Sequence, residues 1–327
     1  MWIWGVGLVI LGLKIALVLG FVLGLAAYLV LLERVLLGRF QIRLGPNRVG
    51  PFGLLQPIAD GIKLMLKEDF IPDQADRAIY LLAPAVVATT ALLMFAVVPF
   101  GPDLMILGRK IPLVISDINV GLLYVFALSS LGVYGVALGG WASNSKFAML
   151  GSIRGAAQMI SYELALGLSI VPVVMMAGSL SLVDIVNAQT GRPFIFAQPL
   201  AFVIFVLSAL AESKRIPFDM PEADTELGSG FHTEYSGMRF GLFFLGEYVH
   251  MQVLGALIAV LFLGGWHGPV FPPIIWLFIK IMIVSMVMIW IRATLPRFRY
   301  DQLMDIGWKI LIPAGLINIL VTGWLLI

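Results

Sequence analysis

Cysteine is absent from the 327-residue chain, and histidine occurs only three times, as His232, His250 and His267. Without thiolates the chain can form no disulfides, no iron–sulfur clusters ligated by cysteine and no structural zinc sites built on cysteine. Haem bound between helices needs paired histidines facing inward, and only His250 falls within an apolar segment. The sequence therefore predicts no redox centre and no metal site in this chain.

Charged residues are also scarce. They make up 12% of the chain, whereas hydrophobic residues make up 60%, and the mean hydropathy is +1.00. Soluble domains carry about 25% charged residues, so this composition predicts a polytopic membrane protein. The net charge of +2 is small, and no basic tract indicates a nucleic-acid partner.

The lengths of the apolar segments set the expected number of membrane spans, because about 20 apolar residues cross the hydrocarbon core of a bilayer. We therefore expect an all-α fold, with a single membrane domain over residues 1–327 and about eight transmembrane helices. Eight segments are close to the required length: 5–32, 75–99, 119–141, 156–178, 197–213, 239–264, 272–292 and 307–326.

Lysine and arginine are distributed unevenly over the loops between these segments. Sixteen of the 21 lie within one set of loops or at the helix ends beside them. Cytoplasmic loops carry an excess of positive charge, so this set is predicted to be cytoplasmic, with both termini on the outside. The set comprises residues 33–74, 142–155, 214–238 and 293–306.

The first of these loops, 33–74, contains a turn followed by an amphipathic pattern. The sequence GPNRVG (45–50) is typical of irregular backbone. Apolar residues then recur at steps of three or four, and this periodicity predicts a surface helix too short to span the membrane. This helix could also be a simple anchor. The apolar positions are Phe52, Leu55, Ile58, Ala59, Ile62 and Leu66.

The stretch from Glu212 to Glu247 carries seven of the nineteen acidic residues, and apolar segments flank it on both sides. Glu163, Glu212 and Glu247 fall inside or at the end of apolar segments, on the side predicted to be cytoplasmic. Ionisable groups at membrane depth are costly and usually functional, so we interpret these carboxylates as a proton relay. The alternative is that each one is hydrogen-bonded to a neighbouring helix and transfers no proton.

Arginines share the first and last cytoplasmic loops with aromatic residues, as Arg34, Arg43 and Phe52 illustrate in the first. The positive-inside rule alone would explain the side on which they lie. A ligand with a moderately polar headgroup entering from the lipid would need the same mixture of aromatic walls and hydrogen-bond donors. The pattern is compatible with either interpretation.

Four long stretches carry a resemblance to a known family. They resemble the H subunit of bacterial NADH:quinone oxidoreductase, the counterpart of subunit 1 of mitochondrial complex I, and the resemblance covers almost the whole chain. The stretches are ERVLLGRFQIRLGPNRVGPFGLLQPIADGIKL (33–64), ASNSKFAMLGSIRGAAQMISYE (142–163), LAESKRIPFDMPEADTELGSGFHTEYSGMRFGLFFLGEY (210–248) and IRATLPRFRYDQLMDIGWK (291–309).

This resemblance implies a respiratory-chain subunit of the bacterial plasma membrane that takes part in electron transport from a donor to quinone. Quinone would be a substrate entering through a tunnel in this subunit. Flavin and iron–sulfur clusters would sit in hydrophilic-arm subunits docked on the cytoplasmic loops, and other membrane-arm subunits and lipid would surround the chain. Matching positions place Arg34, Arg43, Phe52, Asp60, Phe244 and Arg292 along the tunnel, and Glu163, Glu212, Glu222, Asp224, Glu234 and Glu247 on the proton-coupling path.

Three rival functions remain open at this point. The same role could be played in a complex that is fed by ferredoxin or another donor, or in the membrane anchor of a hydrogenase. A stand-alone ion transporter is a further alternative. The sequence of such a transporter would be expected to contain inverted repeats and ion sites at broken helices. No repeat is visible in this sequence.

Overall fold

A computed structural model describes the backbone of residues 2–106, 109–222 and 224–326. Side chains are described over the same ranges, except at residues 2–6, 106, 109, 224 and 225. Across these residues the chain is almost entirely helical, as the composition predicted.

The described helices follow one another with short connections, and the longer ones run through the apolar segments. In chain order they are α1 (Trp2–Phe40), α2 (Gln56–Leu66), α3 (Arg77–Met94), α4 (Gly121–Ala142), α5 (Lys146–Ala177), α6 (Leu182–Asn187), α7 (Phe194–Ala197), α8 (Pro199–Glu212), α9 (Asp224–Leu227), α10 (Gly237–Phe262), α11 (Pro273–Thr294), α12 (Tyr300–Asp305) and α13 (Ile312–Leu326).

Seven described helical segments are long and apolar enough to cross a membrane, so the chain is an integral membrane protein. They correspond to seven of the eight predicted spans. The remaining one, predicted at 197–213, is the 14-residue α8, whose length of about 21 Å is less than the hydrocarbon thickness. Pro199 begins this helix, and the non-helical backbone of Gln198 separates it from α7.

Two helices extend beyond the spans predicted from hydropathy. Helix α1 continues to Phe40, eight residues into the predicted first loop, and carries Glu33 and Arg34 on helical backbone. Helix α5 begins at Lys146, ten residues before the predicted span. Hydropathy reports how long the apolar segment is, whereas charged residues such as Lys and Arg are good helix formers and let the helix continue.

The first loop, between α1 and α3, contains the predicted amphipathic helix, which is α2. A 3₁₀ turn, Pro51–Gly53, precedes it, and no residue of α2 is buried. The loop at 100–118 contains a small exception to the all-α prediction. There the strands β1 (Leu104–Ile106) and β2 (Arg109–Ile111) form an antiparallel hairpin.

Helix α10 lies at the centre of the bundle. Of the 18 most apolar consecutive residues of α10, 78% are buried. The corresponding share is 22% for α1 and 22% for the C-terminal helical segment, Tyr300–Leu326. Close helix approach is set by small residues: a Cβ at Gly135 of α4 would lie 2.4 Å from Val87 Cγ2 of α3. This agrees with the general use of small residues where helices pack in membranes.

Lys280 of α11 binds the C-terminal end of α10. Its Nζ donates to the carbonyl oxygens of Leu263, Gly265 and His267 at 2.7, 2.8 and 2.8 Å. These carbonyls follow the last turn of a helix, where backbone acceptors lack intrahelical partners and the helix dipole favours a cation. Lys280 therefore has a structural partner within the chain itself.

Candidate functional site

An open apolar groove runs along the outside of the bundle between α1 and α11. Its volume is about 610 Å³. The walls come from Tyr28 and Leu32 of α1, Phe52 and Leu54 of the first loop, and Phe278 and Met282 of α11. A groove of this size and character can hold a flexible apolar molecule that enters from lipid.

The residues near the loop end of this groove combine an aromatic ring with an ion pair. Phe52 is 90% exposed, and its backbone lies in the left-handed region (φ 54°, ψ 22°), which is uncommon for a residue other than glycine. Arg34 Nη1 lies 2.6 Å from Asp60 Oδ2, and Gln56 donates to the other oxygen of Asp60 at 2.9 Å. The pair fastens α1 to α2.

Glu33 begins a buried ion network one helical turn beyond Leu29, a groove residue on the same face of α1. The carboxylate of Glu33 accepts from Arg215, from Arg292 and, at 2.8 Å, from the hydroxyl of Tyr248. Four segments distant in the sequence therefore meet at this single side chain, which is 2% exposed.

Arg215 extends the network from Glu33 to Glu247 of α10. Its Nε lies 2.8 Å from Glu247 Oε1, and its guanidinium carbon lies 4.3 Å from the centroid of the Tyr248 ring. Burial opposes the charge on Arg215, but Glu247, Tyr248 and Glu33 outweigh it and raise the pKa of Arg215 well above its usual range. Arg215 is therefore a permanent cation between two carboxylates.

A second set of carboxylates lies where α4, α5, α8 and α10 meet. Ser129 Oγ donates to Glu212 Oε1, and the adjacent Ser130 Oγ donates to Glu163 Oε1. His250 Nε2 lies 3.4 Å from the same Glu212 oxygen. Two neighbouring serines thus hold carboxylates from two different helices.

A small cavity connects this set to the ion network. Glu212, Glu247 and His250 all line it, together with Ser129 and Lys214. Its volume of about 20 Å³ is enough for one water molecule. Most of its wall is apolar, but Glu212, Glu247 and His250 offer polar partners, so a water bound there could exchange protons with them.

A second cavity, next to the first, opens toward the loop at residues 214–238, which we call the acidic loop. It shares Lys214 and Glu247 with the first cavity and adds Glu222 and Phe244. Burial, reinforced by the charges of Glu247 and Asp219, raises the pKa of Glu222 well above its ordinary value. Burial also lowers the pKa of Lys214, although the neighbouring carboxylates oppose the shift.

The acidic loop is fixed against α5 by close backbone contact. Gly230 has a φ of +65°, and a Cβ there would lie 1.7 Å from the carbonyl oxygen of Pro221. A Cβ at Gly151 of α5 would approach the same oxygen to 2.7 Å. Glu226 adds an ion pair to Arg154 of α5 at 2.7 Å. The loop therefore has a defined position over the two cavities.

The sequence of the chain matches proteins of known identity over nearly its full length. The family model for NADH dehydrogenase matches residues 13–323. The NADH-quinone oxidoreductase H subunit 2 of Syntrophobacter fumaroxidans is 70% identical over 324 residues, which are 99% of this chain and 98% of the relative. The chain belongs to the NADH dehydrogenase family. It is the membrane-embedded H subunit of a multi-subunit NADH-quinone oxidoreductase.

Further relatives carry the same name. The NADH-quinone oxidoreductase H subunit of Syntrophotalea carbinolica is 62% identical over 320 residues, covering 98% of this chain and 97% of the relative. The H subunit 2 of Geobacter sulfurreducens is 64% identical over 315 residues, covering 96% of each chain. The resemblance inferred from the four sequence stretches is thereby confirmed.

In this H subunit, several of the residues predicted to form the site lie together. Glu212, Glu222 and Glu247 line the two adjoining cavities. Glu163 lies near the first cavity, because its partner Ser130 is next to Ser129, which lines that cavity. Phe244 lies between Phe240 and Tyr248, with ring centroids 5.8 and 5.0 Å away. Arg292 joins the buried network rather than the groove wall.

Other predicted residues of the H subunit lie apart from these clusters. Arg43 donates to Gln41 at 2.7 Å in the turn after α1. Glu234 accepts a 2.7 Å hydrogen bond from Tyr80 through its backbone carbonyl. The backbone of Asp224 begins α9, whereas its side chain is outside the described residues.

The residues that sequence reasoning missed are the partners of the predicted carboxylates. Arg215 and Tyr248 connect Glu33 to Glu247, and both stand beside residues that were singled out. Ser129 is a further partner, because its hydroxyl donates to Glu212. A cation next to an intramembrane carboxylate, as in the stretch from Glu212 to Arg215, is a signal that could have identified the network.

The described carboxylates and imidazoles are not arranged as metal ligands. In the part of the chain that the structure describes, no group of three or more His, Asp or Glu side chains is placed to hold a metal ion. The clustered carboxylates instead face arginine, lysine, serine and histidine, which are partners for proton exchange and charge stabilisation.

Proposed function

We propose that this chain forms the quinone entry path of its complex and the acidic path that couples quinone reduction to proton translocation. The apolar groove between α1 and α11 admits the substrate quinone from lipid. The two polar cavities hold the protons that move when quinone is reduced. NADH is the expected donor, and its electrons would arrive through flavin and iron–sulfur clusters in partner subunits.

One observation carries this proposal: Arg215 contacts both Glu33 and Glu247. Glu33 lies one turn from the groove wall, and Glu247 lines both polar cavities. A negative charge that develops on a quinone headgroup near Arg292 or Glu33 would redistribute the charge pairs that Arg215 makes. Because interactions in this buried setting are weakly screened, such a change reaches Glu247 directly.

The proposed entry path follows the groove between α1 and α11, whereas α10 faces the interior. Exposed apolar residues on α1, such as Leu17 and Phe21, leave this side open to lipid. Quinone therefore enters along the α1–α11 face, and Phe52 contacts its headgroup at the mouth.

We also propose the orientation and partners of the chain. The ends of the helices that bear the Arg34–Asp60 pair and the acidic stretch face the cytoplasm of a bacterial-type plasma membrane, with both termini outside. In this orientation the short α8, together with α7, completes an eighth crossing. Hydrophilic-arm subunits dock on the cytoplasmic loops, and other membrane-arm subunits pack against the exposed helices.

The test is replacement of Glu247 by glutamine in the assembled complex, with Glu226→Gln as the matched control on the acidic loop. Glu226 is also a paired glutamate, but its partner is Arg154 and it lies outside the cavities. We expect E247Q to lower quinone-linked turnover and proton translocation at least about tenfold, and to leave donor oxidation by artificial acceptors intact. Unchanged quinone activity and pumping in E247Q would refute the coupling path.

A complex fed by another donor is the second candidate, because this chain has no contact with the donor. Purification of the tagged chain in mild detergent, followed by mass spectrometry of the co-purifying subunits, separates the possibilities. Flavin and iron–sulfur subunits with a NADH-binding subunit are expected. A ferredoxin-binding or hydrogenase subunit in place of the NADH-binding one would change the assigned donor.

A further inference from the structure

We propose that His250 is a proton-relay residue, which exchanges a proton with Glu212 and with one water molecule bound in the cavity between Glu212 and Glu247. This inference rests on the proposed coupling function and adds to it a group of a different chemical type. Neutral imidazole has one nitrogen that accepts a proton and one that donates, whereas a carboxylate only accepts, so a histidine among carboxylates is suited to pass a proton on.

The geometry places the imidazole between the two carboxylates. His250 lies on α10 three residues after Glu247, close to one helical turn, and both residues line the same cavity. Its Nε2 lies 3.4 Å from Glu212 Oε1. The other oxygen of Glu212, Oε2, is buried and has no hydrogen-bond partner among the described residues.

The unpartnered Oε2 of Glu212 and the cavity that Glu212 lines can accommodate a bound water. A buried polar group without a partner costs roughly 1–3 kcal/mol, and a single water can donate to Glu212 Oε2 and contact the nearby polar groups. The volume of about 20 Å³ admits one such molecule. Ser129 donates to the other oxygen of Glu212, Oε1, and so leaves Oε2 available to it.

Charged or polar groups from every element that lines the cavity lie near the imidazole. Helix α8 contributes Glu212, α10 itself contributes Glu247, and the loop after α8 contributes Lys214. Helix α5 contributes Glu163, which interacts electrostatically with both His250 and Glu212. Arg215 lies one contact further away, on Glu247. Helices α3 and α4 contribute the hydroxyls of Thr90 and Ser129 to the cavity wall.

The proton moves in two balanced steps. When Glu247 is protonated, its carboxyl O–H bond breaks and the proton goes to the cavity water, while the water gives one of its own protons to Nε2 of neutral His250. A Glu247 carboxylate, an intact water and an imidazolium remain, and the imidazolium pairs with the Glu212 carboxylate. The Nε2–H bond then breaks, the proton binds Glu212 Oε1, and neutral imidazole and a carboxylic acid remain. No electron changes place in either step.

The experiment uses the assembled complex in proteoliposomes and compares His250→Gln with His267→Gln. Glutamine at 250 keeps an amide donor near the position of Nε2 and cannot take up a proton. His267 lies beyond the C-terminal end of α10 and does not line the cavity, and its carbonyl accepts a hydrogen bond from Lys280. The measured quantity is the number of protons translocated per quinone reduced, from pH 5 to pH 8.

In the parent and in H267Q we expect this ratio to change across the range in which imidazole titrates. In H250Q this pH-dependent change should disappear, and coupled turnover at pH 7 should fall at least about tenfold. A His250→Ala variant that is defective beside a fully active H250Q would show that only the hydrogen bond matters, and would overturn the relay.

Two further outcomes keep this inference separate from the coupling proposal. If E247Q abolishes pumping while H250Q matches the parent at every pH, the relay is wrong and the coupling path stands. If H250Q fails to assemble, the same pH profile is measured in Glu212→Gln, which removes the partner of the imidazole. A parent-like pH-dependent change in that variant would overturn the relay.

Discussion

Two arginine–carboxylate contacts of this chain use the same chemistry in very different surroundings. Arg215 and Glu33 have side chains only 2% and 3% exposed, whereas Arg34 and Asp60 are 43% and 28% exposed. Water can replace either partner of the Arg34–Asp60 pair, but it cannot reach the interior pair easily. The contact distances are similar, so burial decides how much each pair contributes.

Because of this difference, the buried Arg215–Glu33 pair is expected to hold the site together. The exposed Arg34–Asp60 pair is expected to affect only the loop end of the groove. A buried charge that loses its partner costs several kilocalories per mole, because the remaining ion stays in a medium of low polarity. An exposed pair is worth about 0–1 kcal/mol. The interior network is therefore expected to be essential for folding and coupling together, and the pair at the mouth is expected to act on substrate entry.

Replacing Arg215 with methionine should give the largest effect. It leaves Glu33 with only Arg292 and Tyr248, and Glu247 loses its ion pair with Arg215. We expect a loss of about 3–5 kcal/mol, seen as little or no assembled complex on native gels. The double variant R215M/E33Q should recover part of the assembly, and equal loss in both variants would contradict this account.

Arg292→Met should have an intermediate effect. Glu33 keeps Arg215 and the Tyr248 hydroxyl, so only one charge-assisted hydrogen bond is removed, at a cost of about 1.5–3 kcal/mol. The complex should assemble and unfold at a lower temperature. Arg299→Met is the control, because that arginine is 75% exposed in its pair with Asp301 and should leave the unfolding temperature unchanged.

Glu222 lies between the two extremes, with a side chain 28% exposed. Its pKa is raised on folding by burial and by Glu247 and Asp219, so the folded protein binds a proton that the unfolded chain releases. Stability from this group is present below the ordinary glutamate pKa and is lost as pH rises through the folded pKa.

Glu222→Gln should remove that dependence, with a slope that differs from the parent by at most about 1.4 kcal/mol per pH unit. Chemical unfolding midpoints between pH 4 and pH 8 measure it, and Glu226→Gln should keep the parent slope. A parent-like slope in E222Q would show that the raised pKa belongs to another group.

Arg34→Ala should give the smallest change in stability, about 0–1 kcal/mol, and this change should decrease further at high salt. The expected functional effect is a higher KM for quinone with kcat little changed, because α2 is held less firmly at the groove. Asp60→Asn should produce the same result, and a loss of assembly in either variant would place this pair with the interior network.

Much of the fold followed from the sequence because it depends on local properties. Seven of the predicted spans, the surface helix α2 and the all-helical class were confirmed. The helix ends were predicted less well: α1 and α5 continue through charged residues that lower hydropathy without ending a helix. The short α8 depends on the backbone at Gln198, which hydropathy does not detect.

The candidate site was predictable in its carboxylates but not in their partners. Glu212 and Glu247 stand out as charges in apolar segments. Arg215 approaches Glu33 across 182 positions, and His250 approaches Glu212 from another helix. Such contacts depend on how helices rotate and pack, which no single segment encodes. Arg43 contacts Gln41 in the turn after α1, and its place along the tunnel stays a prediction.

The glycine contact of the acidic loop has a consequence for engineering this protein. Gly230 and Gly151 meet the carbonyl of Pro221 through backbone alone, so this contact does not depend on titratable side chains, although the Glu226–Arg154 ion pair also holds the loop. Glutamates such as Glu222 could be exchanged for reporter groups or for residues of different acidity while this contact stays in place. The loop is therefore a suitable place to attach spectroscopic probes of proton movement.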